Sequence, residues 1–83
     1  MARNPFDIVA EQKRKIDKER ERHDYTPKPY EDAAMAKWLC DPNNHGNNKS
    51  EWIRILAKAA AYILCEIETT QSIKGDGIIK PRS

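Results

Sequence analysis

Two cysteines and two histidines are the residues of this chain whose types allow the widest chemistry. Cys40 and His45 lie five positions apart, and His23 and Cys65 complete a set of four side chains that could bind zinc. Structural zinc sites are built from closely spaced pairs, such as two cysteines separated by two residues, and this chain has none. We therefore expect no metal and no cofactor, with Cys65 as a small buried thiol and Cys40 in a packing or capping role.

Cys40 and His45 could also form a thiolate–imidazole pair for nucleophilic catalysis. Such a pair needs an orienting third residue and an electropositive setting, whereas Asp41 follows Cys40 directly. No other pair of titratable groups has a spacing that points to catalysis. We expect a protein that is not an enzyme and has no small-molecule substrate.

A third candidate chemistry is the binding of phosphate backbones by cations near the N-terminus. Six cationic side chains follow one another on a predicted helix: Lys13, Arg14, Lys15, Lys18, Arg20 and Arg22. Five acidic residues lie between positions 11 and 24, so six cations minus five anions leave +1. Because nucleic-acid arms usually carry one sign of charge, this pattern favours a solvated helix with internal ion pairs. Nucleic-acid binding stays the alternative, since Arg14 and Lys18 can share one face.

Trp38 and Trp52 flank the polar segment DPNNHGNNKS. Paired tryptophans can stack on bases or line a peptide groove, but they more commonly anchor two packed helices. We expect them to join an antiparallel helical hairpin with the asparagine loop at its tip, either as a recognition surface or as a simple turn. A helix-turn-helix motif is not favoured. Such a motif joins its helices by a turn of about three or four residues and presents a polar recognition helix, whereas the segment here is longer and the last helix is mostly apolar.

Composition limits the size and class of the protein. The chain has 83 residues, of which 39% are hydrophobic and 34% charged, and a net charge of +2. This length suits one small domain with a thin core. The sequence has neither the apolar region of a signal peptide nor an apolar run of about 18 residues. We expect a cytoplasmic protein that does not use a membrane and keeps its cysteines reduced.

The elements that position these residues are predicted to be helices, which makes the fold class all-α. Residues 1–24 read as a charged helix or arm that begins at Asn4 and Pro5 and docks through its first third. Residues 25–29, with two prolines, form a linker, and residues 30–74 form the hairpin core. Asn48 with Glu51 predicts the start of the last helix, and residues 75–83 are expected to be a flexible tail.

The C-terminal helix, expected over about residues 49–74, has more apolar surface than the rest of the chain can cover. Its apolar arc spans roughly 220°, where a surface helix needs about 100°. We expect a second chain to pack there, in a homodimer or on another protein; the alternative is a monomer with this helix centrally buried. The predicted interface residues are Trp52, Ile55, Leu56, Ala59, Ala60, Tyr62, Ile63 and Ile67.

These features favour a small, non-enzymatic accessory protein that acts through protein interactions. We expect an adaptor or inhibitor that binds a larger protein through the apolar C-terminal helix. The alternative function is a nucleic-acid-binding regulator that uses the basic residues of the N-terminal helix.

Overall fold

The computed structural model describes residues 3–74, and over that range the chain contains only helices, turns and irregular segments. Helix α1 spans Pro5–Arg22, α2 spans Glu31–Leu39 and α3 spans Lys49–Gln71, with a short 3-10 helix at Pro42–Asn44. The predicted all-α class is confirmed. None of these helices is both long enough and apolar enough to cross a bilayer.

Local capping signals set where two of the helices begin. The Asn4 side chain accepts a hydrogen bond from the Phe6 backbone N–H, and Pro5 occupies the first helical position of α1. The Asn48 side chain accepts from the Glu51 N–H at 2.9 Å. The Glu51 carboxylate accepts a hydrogen bond from the Asn47 N–H at 2.7 Å. A capping box would instead use the N–H of Asn48, one residue later.

The last helix ends three residues before Lys74, as the weak helix formers near its end allowed. Helix α3 stops at Gln71, after Thr69 and Thr70, whose β-branched side chains weaken helical geometry. The tail predicted at residues 75–83 lies outside the described residues.

Gly46 sets the backbone conformation of the loop between the short helix and α3. Gly46 has a φ of +78°, in the left-handed region that residues with a Cβ rarely adopt. A Cβ at this position would also lie 2.8 Å from the Glu51 Cβ. The close approach lets Glu51 fold back over the loop that precedes α3.

Helices α1 and α2 both pack against α3. Ile16 of α1 packs with Ala61 and Cys65 of α3, and Val9 lies against this cluster. On the neighbouring flank, α2 packs through Ala36 and Leu39 against Ala59. Tyr62 contacts both clusters. Because alanines form much of this core, the helix backbones can approach closely.

Helix α1 docks along more of its length than we expected. Phe6, in the predicted docking third, is 83% exposed, whereas Gln12 and Ile16 are buried. Arg20, near the end of the helix, is bonded to Asp32 of α2. Long polar side chains can pack their apolar stems on a neighbouring helix while their charged groups form ion pairs. A prediction based only on apolar residues does not include such contacts.

Candidate interaction surface

Arg20 and Asp32 form an ion pair at the junction of α1 and α2. The guanidinium donates to both carboxylate oxygens, at 2.9 and 2.6 Å, and the Asp32 side chain is only 2% exposed. The Arg20 Cζ also lies 5.4 and 5.6 Å from the ring centroids of Tyr25 and Tyr62. The hydrogen bond to Asp32 is the main cause that raises the pKa of Arg20. This cation is engaged inside the fold.

Lys13 is the second cation that is held within the protein. Its Nζ lies 2.6 Å from Asp17 Oδ2 and 2.8 Å from Glu68 Oε1, so it links α1 to α3. Burial disfavours the charged form, but the hydrogen bonds to Asp17 and Glu68 outweigh it and raise the pKa of Lys13. The carboxylate oxygens of Asp17 and Glu68 and the Cys65 sulfur lie within 4.8 Å of one another. Lys13 Nζ contacts both carboxylates.

The other four predicted nucleic-acid contacts are exposed on the outer side of α1. They are Arg14, Lys15, Lys18 and Arg22. Arg22 lies 3.4 Å from Glu19, and both side chains are exposed. Glu11, Asp17 and Glu21 line the same shallow surface as Arg14, Lys15 and Lys18. The exposed face therefore mixes both signs of charge.

The cysteines and histidines occupy separate surroundings. Cys40 is exposed at the end of α2, and Cys65 is buried against α1. His23 contacts Glu19 at 2.9 Å, and the His45 ring meets Trp52 edge-on at 6.4 Å. Burial raises the pKa of the Cys65 thiol, with nearby Lys13 and Arg20 opposing that effect. The expectations of no metal and no enzymatic activity stay predictions.

Glu66 has a structural role that the sequence did not reveal. Its carboxylate accepts from the backbone N–H groups of Tyr30, at 2.9 Å, and Ala33, at 3.1 Å. The cap residue Tyr30 has a φ of 71° and its own side chain makes no capping bond. Glu66 thus satisfies the first turn of α2 from the opposite helix. Its one sequence signal is a lone acid within the apolar arc of α3.

The eight predicted interface residues divide into two groups. Ala59 is buried, and Ile55 and Tyr62 pack against the core cluster of Ala36 and Leu39. These three face the chain's own α2. The other five remain on the outside: Leu56, Ile63 and Ile67 are exposed, and Trp52 and Ala60 are half-buried.

Two further exposed residues of α3 extend the outer group. Ile53 and Leu64 are 41% and 40% exposed and lie on the same side of α3 as Leu56 and Ile67. Trp52 is set apart, because its ring meets His45 of the preceding loop. We name the remaining surface the outer stripe, and it consists of Ile53, Leu56, Ala60, Ile63, Leu64 and Ile67. By helical geometry these six lie within an arc of about 100°, between the flanks that α1 and α2 occupy.

An apolar groove continues the outer stripe toward the start of α1. Ile8 and Val9 line it from α1, and Ile53 and Leu56 line it from α3, around a volume of about 370 Å³. The groove widens the apolar surface at one end of α3.

Known proteins add no further guide to this surface. No family model, curated protein or solved structure matches the chain.

Proposed function

We propose that this chain is a small, non-enzymatic protein-interaction protein whose outer stripe docks against an apolar helix of a second polypeptide. The observation that carries the proposal is the exposure of five large aliphatic side chains along one rigid helix, each between 39% and 47% exposed. Isolated apolar residues are ordinary on a protein surface, but a continuous row is typical of an interface.

The size of the stripe supports this proposal. Its five large side chains together expose on the order of 400 Å². At about 25 cal/mol per Å², burying that area contributes on the order of 10 kcal/mol before the entropy of association is subtracted. This contribution is comparable to the entropic cost of association, so the stripe suits a weak, reversible complex.

The neighbouring helices support the stripe from behind. Residues 30–74 form, in this proposal, an antiparallel hairpin that holds α3 in a fixed orientation. Two contacts favour it: the start of α2 bonds to Glu66, late in α3, and Leu39 at its end packs near Ala59. A helix whose apolar anchors recur every three or four residues suits a helix-to-helix contact. An adaptor or inhibitor role, in which the chain binds a larger protein through this face, fits such a contact.

The proposal is tested by capture of binding proteins with the tagged full chain and its Ile63→Asp variant. A charge at Ile63, within the stripe, should release a partner that docks there. Lys58→Asp is the matched control, because Lys58 is exposed on α3 outside the stripe. We expect a partner that is retained by the parent chain and Lys58→Asp and lost by Ile63→Asp. Equal capture by all three would refute the proposed function.

Nucleic-acid binding is the weaker proposal. Four of the six candidate cations are exposed, whereas Lys13 and Arg20 are bonded to acidic groups of the same chain. Phosphate contacts weaken steeply as salt rises, so a mobility-shift assay with duplex DNA at about 50 mM and about 200 mM salt tests this function. Absence of binding at the lower salt concentration would rule it out.

A further inference from the structure

We propose that the outer stripe pairs with the same stripe of a second copy of this chain, with the two α3 helices antiparallel and Ala60 on the twofold axis. This inference rests on the proposed function and names the docking partner. Twofold homodimers use one surface patch twice, so the patch must complement itself. Three features of α3 meet that requirement.

The first feature is the order of side chains on either side of Ala60. Ile53 and Ile67 each lie seven residues from it, and Leu56 and Leu64 each lie four residues from it. In an antiparallel pair centred on Ala60, Ile53 therefore lies level with Ile67 of the second copy, and Leu56 lies level with Leu64. The two alanines meet at the centre, where small side chains allow close approach.

The second feature is the position of Ala60 in the helix. Helix α3 spans Lys49–Gln71, so eleven residues precede Ala60 and eleven follow it. Antiparallel pairing about Ala60 consequently overlaps both helices along their whole length, which is roughly 34 Å. Pairing about any other residue would leave part of each stripe exposed.

The third feature is the charge at the two ends of α3. Lys49 is the first residue of the helix, and the last turn of α3 contains no basic residue. Antiparallel pairing brings each Lys49 to the level of the partner helix's last turn, whose carbonyl groups carry partial negative charge. Parallel pairing would instead place the two Lys49 cations side by side, which is unfavourable.

The apolar area that two paired stripes would bury predicts a weak dimer. About 400 Å² from each copy gives roughly 800 Å², and the groove beside Ile8 adds to it, which approaches the lower limit of specific interfaces near 1,000–1,200 Å². We expect a dissociation constant of the dimer in the micromolar range or above. A larger protein that binds the same stripe would compete with the second copy.

Sedimentation equilibrium of the full chain under reducing conditions tests the pairing and its direction. The measured mass should rise from 9.6 kDa toward twice that value as the protein concentration increases from about 10 to about 500 µM. Ile53→Lys alone and Ile67→Glu alone should each weaken association about tenfold or more.

The double variant with Ile53→Lys and Ile67→Glu identifies the orientation. In the antiparallel pair each lysine lies level with a glutamate of the second copy, so we expect the double variant to recover most of the association lost by the single variants. In a parallel pair like charges face each other, and the double variant would associate most weakly. That result would overturn the proposed geometry. Circular dichroism melting confirms that each variant is folded.

The outcomes separate this inference from the proposed function. A parent chain that stays at 9.6 kDa at every concentration refutes the homodimer, as does a dimer that the stripe variants leave unchanged. If the chain is monomeric but Ile63→Asp still loses a captured protein, the proposed function stands with a different partner. Lys58→Asp, outside the stripe, should dimerise like the parent chain.

Discussion

Asp32 is almost fully enclosed, and its charge is balanced by Arg20. Removing one member of a buried ion pair leaves an uncompensated charge and costs more than the pair itself contributes. We expect Arg20→Met, which keeps the apolar stem, to lower the free energy of unfolding by about 3 kcal/mol, measured by urea denaturation.

The matched control for this variant is Arg22→Met. Arg22 contacts Glu19 on the exposed surface, where an ion pair contributes about 0–1 kcal/mol. Adding Asp32→Ala to Arg20→Met should restore part of the lost stability, because no lone charge then remains. If Arg20→Met costs no more than Arg22→Met, the buried pair does not hold α1 to α2.

The two thiols should differ sharply in reactivity. Cys40 is exposed, whereas burial raises the pKa of Cys65, so the Cys65 thiol has less of the reactive thiolate than a free thiol at about pH 8. We expect a maleimide to label one thiol per native chain quickly and the second after denaturation, as measured by mass spectrometry. Cys40→Ser should remove the fast reaction, and fast labelling of that variant would contradict the buried position of Cys65.

At single residues, local contacts could be predicted from the sequence and distant ones could not. Arg20 was predicted as a nucleic-acid contact because of its charge alone, and its partner Asp32 lies twelve positions away across the proline linker. Pairing between residues that distant depends on how the helices pack, which no local pattern encodes. The caps at Asn4 and Asn48 were predicted correctly because each acts within three residues.

At the scale of elements, α2 depends on α3 for its first turn. Replacing Glu66 by alanine leaves the N–H groups of Tyr30 and Ala33 without their acceptor. We expect Glu66→Ala to cost about 1–2 kcal/mol in urea denaturation, which is the range for a lost helix cap. Hydrogen exchange should show faster exchange at the Ala33 amide.

Glu66→Gln is the control for charge, since it keeps one oxygen acceptor at the same place. It should destabilise the chain less than Glu66→Ala. An Ala33 amide that exchanges at the same rate in the parent and Glu66→Ala would show that the carboxylate does not cap α2.

The division of the α3 surface could not be predicted from its sequence. The apolar arc predicted surplus surface, and five large side chains are indeed exposed. Which part of that arc α1 and α2 would cover depends on packing, so Ile55, Ala59 and Tyr62 were assigned to the interface although they face α2. For the same reason, the sequence did not single out Ile53 and Leu64, which are exposed on α3.

At the scale of the whole molecule, two adjacent alanines distinguish the inner and outer sides of α3. Ala61 is 0% exposed in the contact with α1, whereas Ala60 lies on the outer stripe. We expect Ala61→Leu to overpack the core and cost about 1–3 kcal/mol in urea denaturation at low concentration. Ala60→Leu should change monomer stability by less than about 0.5 kcal/mol. Equal losses for both variants would mean that Ala60 also faces the chain's own core.

The dependence of α2 on Glu66 has a consequence for biosynthesis. A ribosome makes α1 and α2 before the part of α3 that supports both of them, and α2 has only nine residues, too few to be stable alone. The contacts that hold α1 and α2 are therefore complete only after the segment from Ala59 to Glu66 has left the ribosome. Translation that stops before Ala59 should yield fragments that proteases remove quickly.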